Sequence, residues 1–266
     1  MINLGFIGVG NMGMAIMEGI KNSEIADNIK LFATDTDIKK LVSAKEQGVI
    51  VSSNAKELVQ KCKYVILATK PQVFDIVLED ISEVIDEDTV LVSIAAGITG
   101  EYIKSKTISN AKVVLVMPNT PLLLGEGATA LAKIEPTTKD EFEFICNIFK
   151  ASGEIAILPK EKMKEVIALN GSSPAFIYLF AKGFIEYAKD VGIPKETAKI
   201  LFAQSLIGSA RMITESGDEI DELIEKVSSP GGTTLAGLDR LYEGKLVDTI
   251  KNACESCTNR AYELSK

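Results

Sequence analysis

The stretch "FIGVGNMG", Phe6 to Gly13, decides the fold. Gly8, Gly10 and Gly13 stand there in G-x-G-x-x-G spacing, after an apolar run and at the head of an amphipathic segment. The spacing alone arises by chance. Its position between a strand pattern and a helix pattern, at the start of an alternating series, makes it a dinucleotide-binding turn. Gly8 then serves the tight turn off the strand, Gly10 lets the backbone approach a pyrophosphate, and Gly13 lets the helix pack against the sheet. Asn11 and Met12 sit at the helix start, where free N–H groups face an anion, and join the candidate cofactor set.

Outward from that turn the chain alternates. Strand patterns at "IKLFAT", "VIV", "YVILAT" and "TVLVSIA" are separated by helix patterns at "DIKKLVSAKEQG", "AKELVQKC" and "VFDIVLEDISEVI". "AKVVLVM" and "GATALAKI" follow as strands, then a helix opened by the capping-box pair Thr138 and Glu141, then "EIAIL". Short, wholly apolar strands between amphipathic helices predict a parallel sheet covered on both faces. From Lys162 the strand pattern stops. Phe176, Phe180, Phe184, Tyr187 and Val191 recur at spacings of four or three, marking one helix face, and helical segments run on through about 195–215, 219–227, 235–242 and 245–264. The fold class is therefore α/β: a Rossmann-type doubly wound sheet over residues 1–161, followed by an all-helical part over 162–266.

Ligands of open α/β sheets lie beyond the carboxyl ends of the strands. The second strand ends in "LFATDTD". Asp35 is placed there to bond an adenosine ribose, and no Arg stands near it to welcome a 2′-phosphate, so the chain leans towards NAD over NADP. Thr34 and Asn54 shape the same pocket for either cofactor, while Lys39 and Lys40 face solvent by helix periodicity. The fourth and fifth strands end in Ala68, Thr69, Lys70, Pro71 and in Ala95, Ala96, Gly97. Pro71 stiffens the first of these ends, and the small residues of the second leave room for a nicotinamide ribose.

Composition narrows the chemistry. The chain has 266 residues, a net charge of −8 and a pI near 4.9, with Lys and Arg scattered, which argues against a nucleic-acid or anionic-membrane partner. The N-terminus enters a strand pattern at once and no apolar run approaches a membrane span, so a cytoplasmic location is expected. The sequence contains no histidine, which excludes Ser-His and Cys-His nucleophilic machinery. No metal site is expected either. Cys254 and Cys257 have no second pair to complete a zinc site and read as small residues on a helix, with a helical redox pair as the remote option.

One stretch interrupts the helical part: "KVSSPGGTTLAGL", Lys226 to Leu238. Pro, Gly, Ser and Thr in a row cannot be a helix interior. Gly231 and Gly232 allow turn conformations that point amides inward, and Thr233 or Thr234 can cap the next helix, with the Ser229 and Thr234 hydroxyls completing an anion pocket. A plain helix–helix turn with a threonine cap explains the same residues equally well.

Taken together, "FIGVGNMG", "ATKPQ", "SIAAGIT", "VMPNTPLLLGEGATAL", "NGSSPAF" and "VSSPGGTT" resemble the pyrroline-5-carboxylate reductase family, in order and over the whole chain. The resemblance implies reduction of the cyclic imine Δ1-pyrroline-5-carboxylate to L-proline with NAD(P)H. It implies a helical part that interleaves with a partner into a homodimer, with assembly to a decamer. It favours the anion pocket, making Ser229, Gly231, Gly232, Thr233 and Thr234 the substrate-carboxylate site. Thr234 and Ser229 become the catalytic candidates, Thr234 lying near the ring nitrogen, and Asn119 joins the cofactor set. The loop is expected to come from the partner subunit to a site between domains. A basic imine needs no imidazole, because once its nitrogen is protonated the iminium carbon is already electrophilic and orientation carries the catalysis. Two positions depart from the family pattern: Leu115, where members usually carry Arg, and Ser173, where they usually carry Gly. A β-hydroxyacid dehydrogenase is the rival enzyme, but it needs a Lys with an Asn four residues on, and Lys182 is followed there by Glu186. Two more functions fit the same motifs: reduction of a six-membered imine acid, and nucleotide sensing without turnover.

Overall fold

The computed structural model describes residues 1–265. The chain divides into two compact units, Met1–Pro174 with Ser256–Lys266, and Ala175–Glu255.

The first unit is built on one eight-stranded sheet. Its strands are β1 (Ile2–Ile7), β2 (Ile29–Thr34), β3 (Ile50–Val51), β4 (Tyr64–Leu67), β5 (Val90–Ser93), β6 (Lys112–Met117), β7 (Gly127–Ile134) and β8 (Gly153–Ile157). Their order is β3-β2-β1-β4-β5-β6-β7-β8. Helices α1 (Asn11–Lys21), α2 (Ile38–Glu46), α3 (Ala55–Lys61), α4 (Phe74–Ser82), α5 (Gly100–Lys106) and α6 (Lys139–Lys150) cover its faces. Alternation along the strands divides the apolar residues between two clusters. Leu4, Phe6 and Ile66 pack with Ile16, Met17 and Ile20 of α1 and Phe142, Ile145 and Phe149 of α6. Ile7, Val65 and Leu67 pack on the other face with Leu58, Phe74, Leu78 and Ile103. Each fully buried side chain of this size contributes roughly 1.5–3 kcal/mol.

Most of this pattern follows the sequence expectation, with two differences. The sheet is not wholly parallel, because β6 and β7 pair antiparallel, from Val113 opposite Ile134 to Met117 opposite Ala130. The connection between them is too short for the helical crossover that a parallel return requires. The helix α5 has no counterpart in the sequence reading. It is one short segment that begins when the Thr99 hydroxyl accepts the Tyr102 N–H at 3.1 Å, and its few apolar residues give no readable period. The capping box of α6 forms as expected: Thr138 and Glu141 exchange side-chain-to-backbone bonds at 3.3 and 3.0 Å.

Packing on the sheet continues past residue 161, where the strand pattern ends. Met163 is buried in the second cluster, with Val166 and Ile167 against it. A π-helical turn, Ile167–Gly171, follows before the first helix of the chain's all-helical stretch.

That stretch comprises α7 (Ser173–Asp190), α8 (Lys195–Glu215), α9 (Ile220–Lys226), α10 (Thr233–Glu243) and α11 (Leu246–Glu263). Within Ala175–Glu255, Phe184 stacks on Phe202 at 4.2 Å and Phe180 meets Phe184 edge-on at 5.2 Å. Yet among the described residues of this unit only Ala188 and Ala198 are buried apolar side chains. Leu179, Tyr187, Ile200 and Leu201 are each more than 60% exposed. No helix among the described residues is long and apolar enough to cross a membrane, and none of their acidic, Cys or His side chains cluster as a metal site.

Candidate active site

The glycine turn leaves β1, the third strand of the sheet, which lies between β2 and β4 where the order of strands along the chain reverses. Each glycine has its own steric reason. Gly8 has φ +105°, and a Cβ there would lie 2.7 Å from the Ala68 carbonyl oxygen. A Cβ on Gly13 would meet the Gly8 oxygen at 2.7 Å, which is the close approach of helix to strand. At Gly10 a Cβ would meet nothing within 4 Å, so this glycine leaves open space at the mouth of α1. Gly10 is the N-cap of α1 and no side chain caps that end, so the first N–H groups of the helix are directed at the open space. The turn therefore fits a dinucleotide pyrophosphate.

Around it stand the other strand ends. Asp35, just after β2, accepts the Val9 N–H at 2.6 Å through one carboxylate oxygen and the Asp37 N–H at 2.8 Å through the other. It thus ties the glycine turn to β2 and puts a negative charge beside the turn. Lys39 and Lys40 are exposed, as expected. The Thr34 side chain is buried, and its carbonyl accepts the Gly8 N–H at 2.8 Å. Asn54 is the N-cap of α3, its side chain accepting the Glu57 N–H at 2.9 Å. Ala68, Thr69, Lys70 and Pro71 follow β4, and the Thr69 hydroxyl oxygen is buried without a partner. Ala95, Ala96 and Gly97 follow β5, with Gly97 at φ +79°. Asn119, beyond β6, is buried and accepts the Ala128 N–H at 2.9 Å. These candidates end or follow the six adjacent strands β3, β2, β1, β4, β5 and β6.

A cavity of about 430 Å³ opens at the ends of β5 and β6. Ala95, Gly97, Met117 and Met163 give it an apolar lining, and Lys160 and Tyr262 stand in its wall. Leu115, the residue in place of the family's usual Arg, is buried in that lining. Lys160 pairs with Glu101 and holds that carboxyl below its ordinary range. The Lys164 ammonium lies 4.5 Å over the Tyr262 ring, and the Tyr262 hydroxyl donates to Glu165 at 3.1 Å, which pushes the phenol up. Sequence reasoning missed these residues. Tyr262 reaches the cavity only because the last turn of α11 packs with the first unit, and nothing in the local pattern around it signals that return.

The interruption in the helical unit is a tight turn. The Gly232 N–H bonds the Ser229 carbonyl at 2.9 Å, with Pro230 second and Gly231 third at φ +71°, the arrangement of a type II turn. Only Gly231 needs the left-handed region. Gly232 is extended, and a Cβ on it would press within 2.9 Å of the Ser229 carbonyl. The expected threonine cap is absent: Gly232 is the N-cap of α10 and no side chain bonds that end, so Thr233 and Thr234 are the first two helical residues. Their N–H groups have no intrahelical carbonyl to bond, and Ser229, Thr233 and Thr234 are exposed. This end suits an anion better than a self-capped turn would.

Elsewhere, burial pushes the Cys62 thiol up to about 12 and also raises Cys146, so neither is a nucleophile at neutral pH. Lys182 makes only an exposed ion pair with Glu186 at 3.6 Å. Ser173 donates to the Leu169 carbonyl at 2.7 Å, an internal bond at the helix start.

Comparison with known proteins agrees with this geometry. Residues 160–264 match the family model for pyrroline-5-carboxylate reductase dimerisation, and residues 3–97 match one described as NADP oxidoreductase, coenzyme F420-dependent. The chain is 31% identical to the pyrroline-5-carboxylate reductase of Escherichia coli (strain K12), over 99% of this chain and 98% of that one. It belongs to the pyrroline-5-carboxylate reductase family. A solved family structure from Coxiella burnetii superposes with a TM-score of 0.90 at 32% identity, covering 100% of this chain and 99% of that chain. A Plasmodium falciparum member with NADP bound gives 0.90 at 30% identity, covering 100% and 98%. The chain is thus an NAD(P)-type oxidoreductase fold with a dimerisation region.

Proposed function

We propose that the chain reduces Δ1-pyrroline-5-carboxylate to L-proline, the last step of proline biosynthesis. The observation that carries this reading is the pairing of two open helix starts in one chain: α1 behind Gly10, and α10 behind the Ser229–Gly232 turn. NAD(P)H, when bound, supplies the hydride that adds to the imine carbon. The N–H groups of Gly10, Asn11, Met12 and Gly13 bind its pyrophosphate, and Gly8, whose own N–H is held by the Thr34 carbonyl, makes the turn that presents them. Thr34, Asp35, Asn54 and the ends of β4, β5 and β6 surround the remainder. Asp35 disfavours a 2′-phosphate by like charge, so NADH is the preferred coenzyme.

The Thr233 and Thr234 N–H groups, with the Ser229 hydroxyl, hold the substrate carboxylate. As hydride reaches carbon the C=N π pair moves onto nitrogen, whose proton is either already present on the iminium or relayed from water by the Thr234 hydroxyl, which hydrogen-bonds the ring nitrogen. Residues 162–266 form the substrate and dimerisation part. Dimers assemble further, to a decamer in the family's manner, with the loop of one subunit serving its partner. The setting is the cytoplasm, where four free thiols and a reduced coenzyme are at home. Replacing Thr234 with Val tests the assignment: turnover should fall about 100-fold while coenzyme affinity stays unchanged. Equal turnover would remove Thr234 from the mechanism.

A further inference from the structure

The stretch "NGSSPAF" carries family resemblance but has no part in the proposed chemistry. Its first residue, Asn170, is only 8% exposed and lies in the π-helical turn Ile167–Gly171. There the Ser172 N–H reaches back five residues to the Ile167 carbonyl at 2.8 Å. Widened turns of this kind recur at functional sites.

Both amide protons of Asn170 are used. Nδ2 donates to the Met117 carbonyl at 2.6 Å and to the Ala128 carbonyl at 2.9 Å. Two carbonyl acceptors decide which end of the amide faces them, so Oδ1 is the atom left over, and it is buried without a partner. Such an orphan acceptor costs free energy that an apolar side chain of similar size would avoid. An apolar side chain would leave the two strand-end carbonyls unheld.

Those carbonyls matter because of where they sit. Met117 ends β6 and lines the 430 Å³ cavity; Ala128, at the start of β7, donates its N–H to Asn119 Oδ1 at 2.9 Å. Asn119 and Asn170 therefore grip the same short connection from two sides, one through the Ala128 N–H and the other through the Ala128 and Met117 carbonyls. Met117 to Asn119 run off the end of β6, and Met117 shares the cavity with Ala95 and Gly97, the residues expected to leave room for the nicotinamide ribose; this step rests on the proposed function.

We infer that Asn170 is a positioning residue: it fixes the Met117–Asn119 turn against the nicotinamide end of the coenzyme without touching coenzyme or substrate. A slack turn leaves pyrophosphate binding at Gly10 intact and misaligns the hydride, and a misplacement of about 1 Å is enough to cost roughly 100-fold in rate.

The test uses the full-length chain with Asn170→Ala and Asn170→Ser, the serine keeping one donor. Turnover, NADH affinity and ADP-ribose affinity are measured for each, ADP-ribose lacking the nicotinamide. Asn170→Ala should lower kcat about 100-fold and weaken NADH, leave ADP-ribose within threefold, and place Asn170→Ser between it and the parent. A kcat within threefold of the parent, or ADP-ribose affinity falling in step with kcat, overturns the inference. If Asn170→Ala does not fold, Asn170→Ser decides by the same criteria. If the parent itself fails to reduce the imine, the functional reading is at fault, and NADH against ADP-ribose affinity still decides the role of Asn170.

Discussion

The two units of this chain solve the problem of burial differently. Met1–Pro174 covers both faces of its sheet with its own helices and fully buries Phe6, Phe74 and Phe149. Ala175–Glu255 is nearly all helix, yet it buries only two alanine side chains among its apolar residues. One unit completes its core alone; the other is an amphipathic surface waiting for cover. The family's dimerisation region, residues 160–264, spans that surface. If that region pairs with a partner, stability of the helical unit becomes linked to assembly.

The largest expected effect breaks the comparison at the helical unit. Leu179 is 69% exposed, so Leu179→Glu changes little if the surface is bare. Burying a carboxylate in a dimer interface is costly, and we expect dissociation to monomers with at least a 100-fold loss of turnover, read by sedimentation and assay at matched concentrations. An unchanged dimer would show the face to be free.

A smaller effect separates fold from ligand in the nucleotide unit. Gly10→Ala places a methyl group in open space, so the melting temperature should hold while coenzyme affinity falls about tenfold through lost pyrophosphate approach. Gly8→Ala should lose both, because a φ of +105° and the Ala68 carbonyl oppose a side chain there. If both variants melt alike, the steric assignment of the two glycines is wrong.

The smallest effect is confined to acid pH. Burial alone would raise the Glu141 carboxyl, but bonds from Lys112, the Thr138 N–H and Lys63 overrule it and hold the group near 2. A carboxyl depressed on folding stabilises above its unfolded value of about 4.5 and loses that contribution as pH falls towards 2. The contribution is on the order of 3 kcal/mol. Glu141→Gln should flatten the acid limb of stability between those values and leave activity at neutral pH unchanged.

How much was legible follows from how local each signal is. The glycine spacing, the capping pair at Thr138 and Glu141 and the 3.6-residue period of α7 are read from neighbours in sequence, and each appears in the fold as expected. The antiparallel return of β7 depends on the length of one connection, and α5 on a cap and a few apolar residues. The threonine cap failed because Gly232 takes the extended cap position ahead of Thr233. Asn170 and Tyr262 act through bonds to residues 53 and 97 positions away, to Met117 and Glu165, and no window of sequence contains both ends.

The most direct test of the account is coenzyme oxidation, followed separately with NADH and NADPH, on Δ1-pyrroline-5-carboxylate, a six-membered imine acid and a 2-keto acid. The account predicts fast oxidation with the five-membered imine alone, and faster with NADH. Turnover of the keto acid at a similar rate, or tight coenzyme binding with no turnover of any substrate, would contradict it.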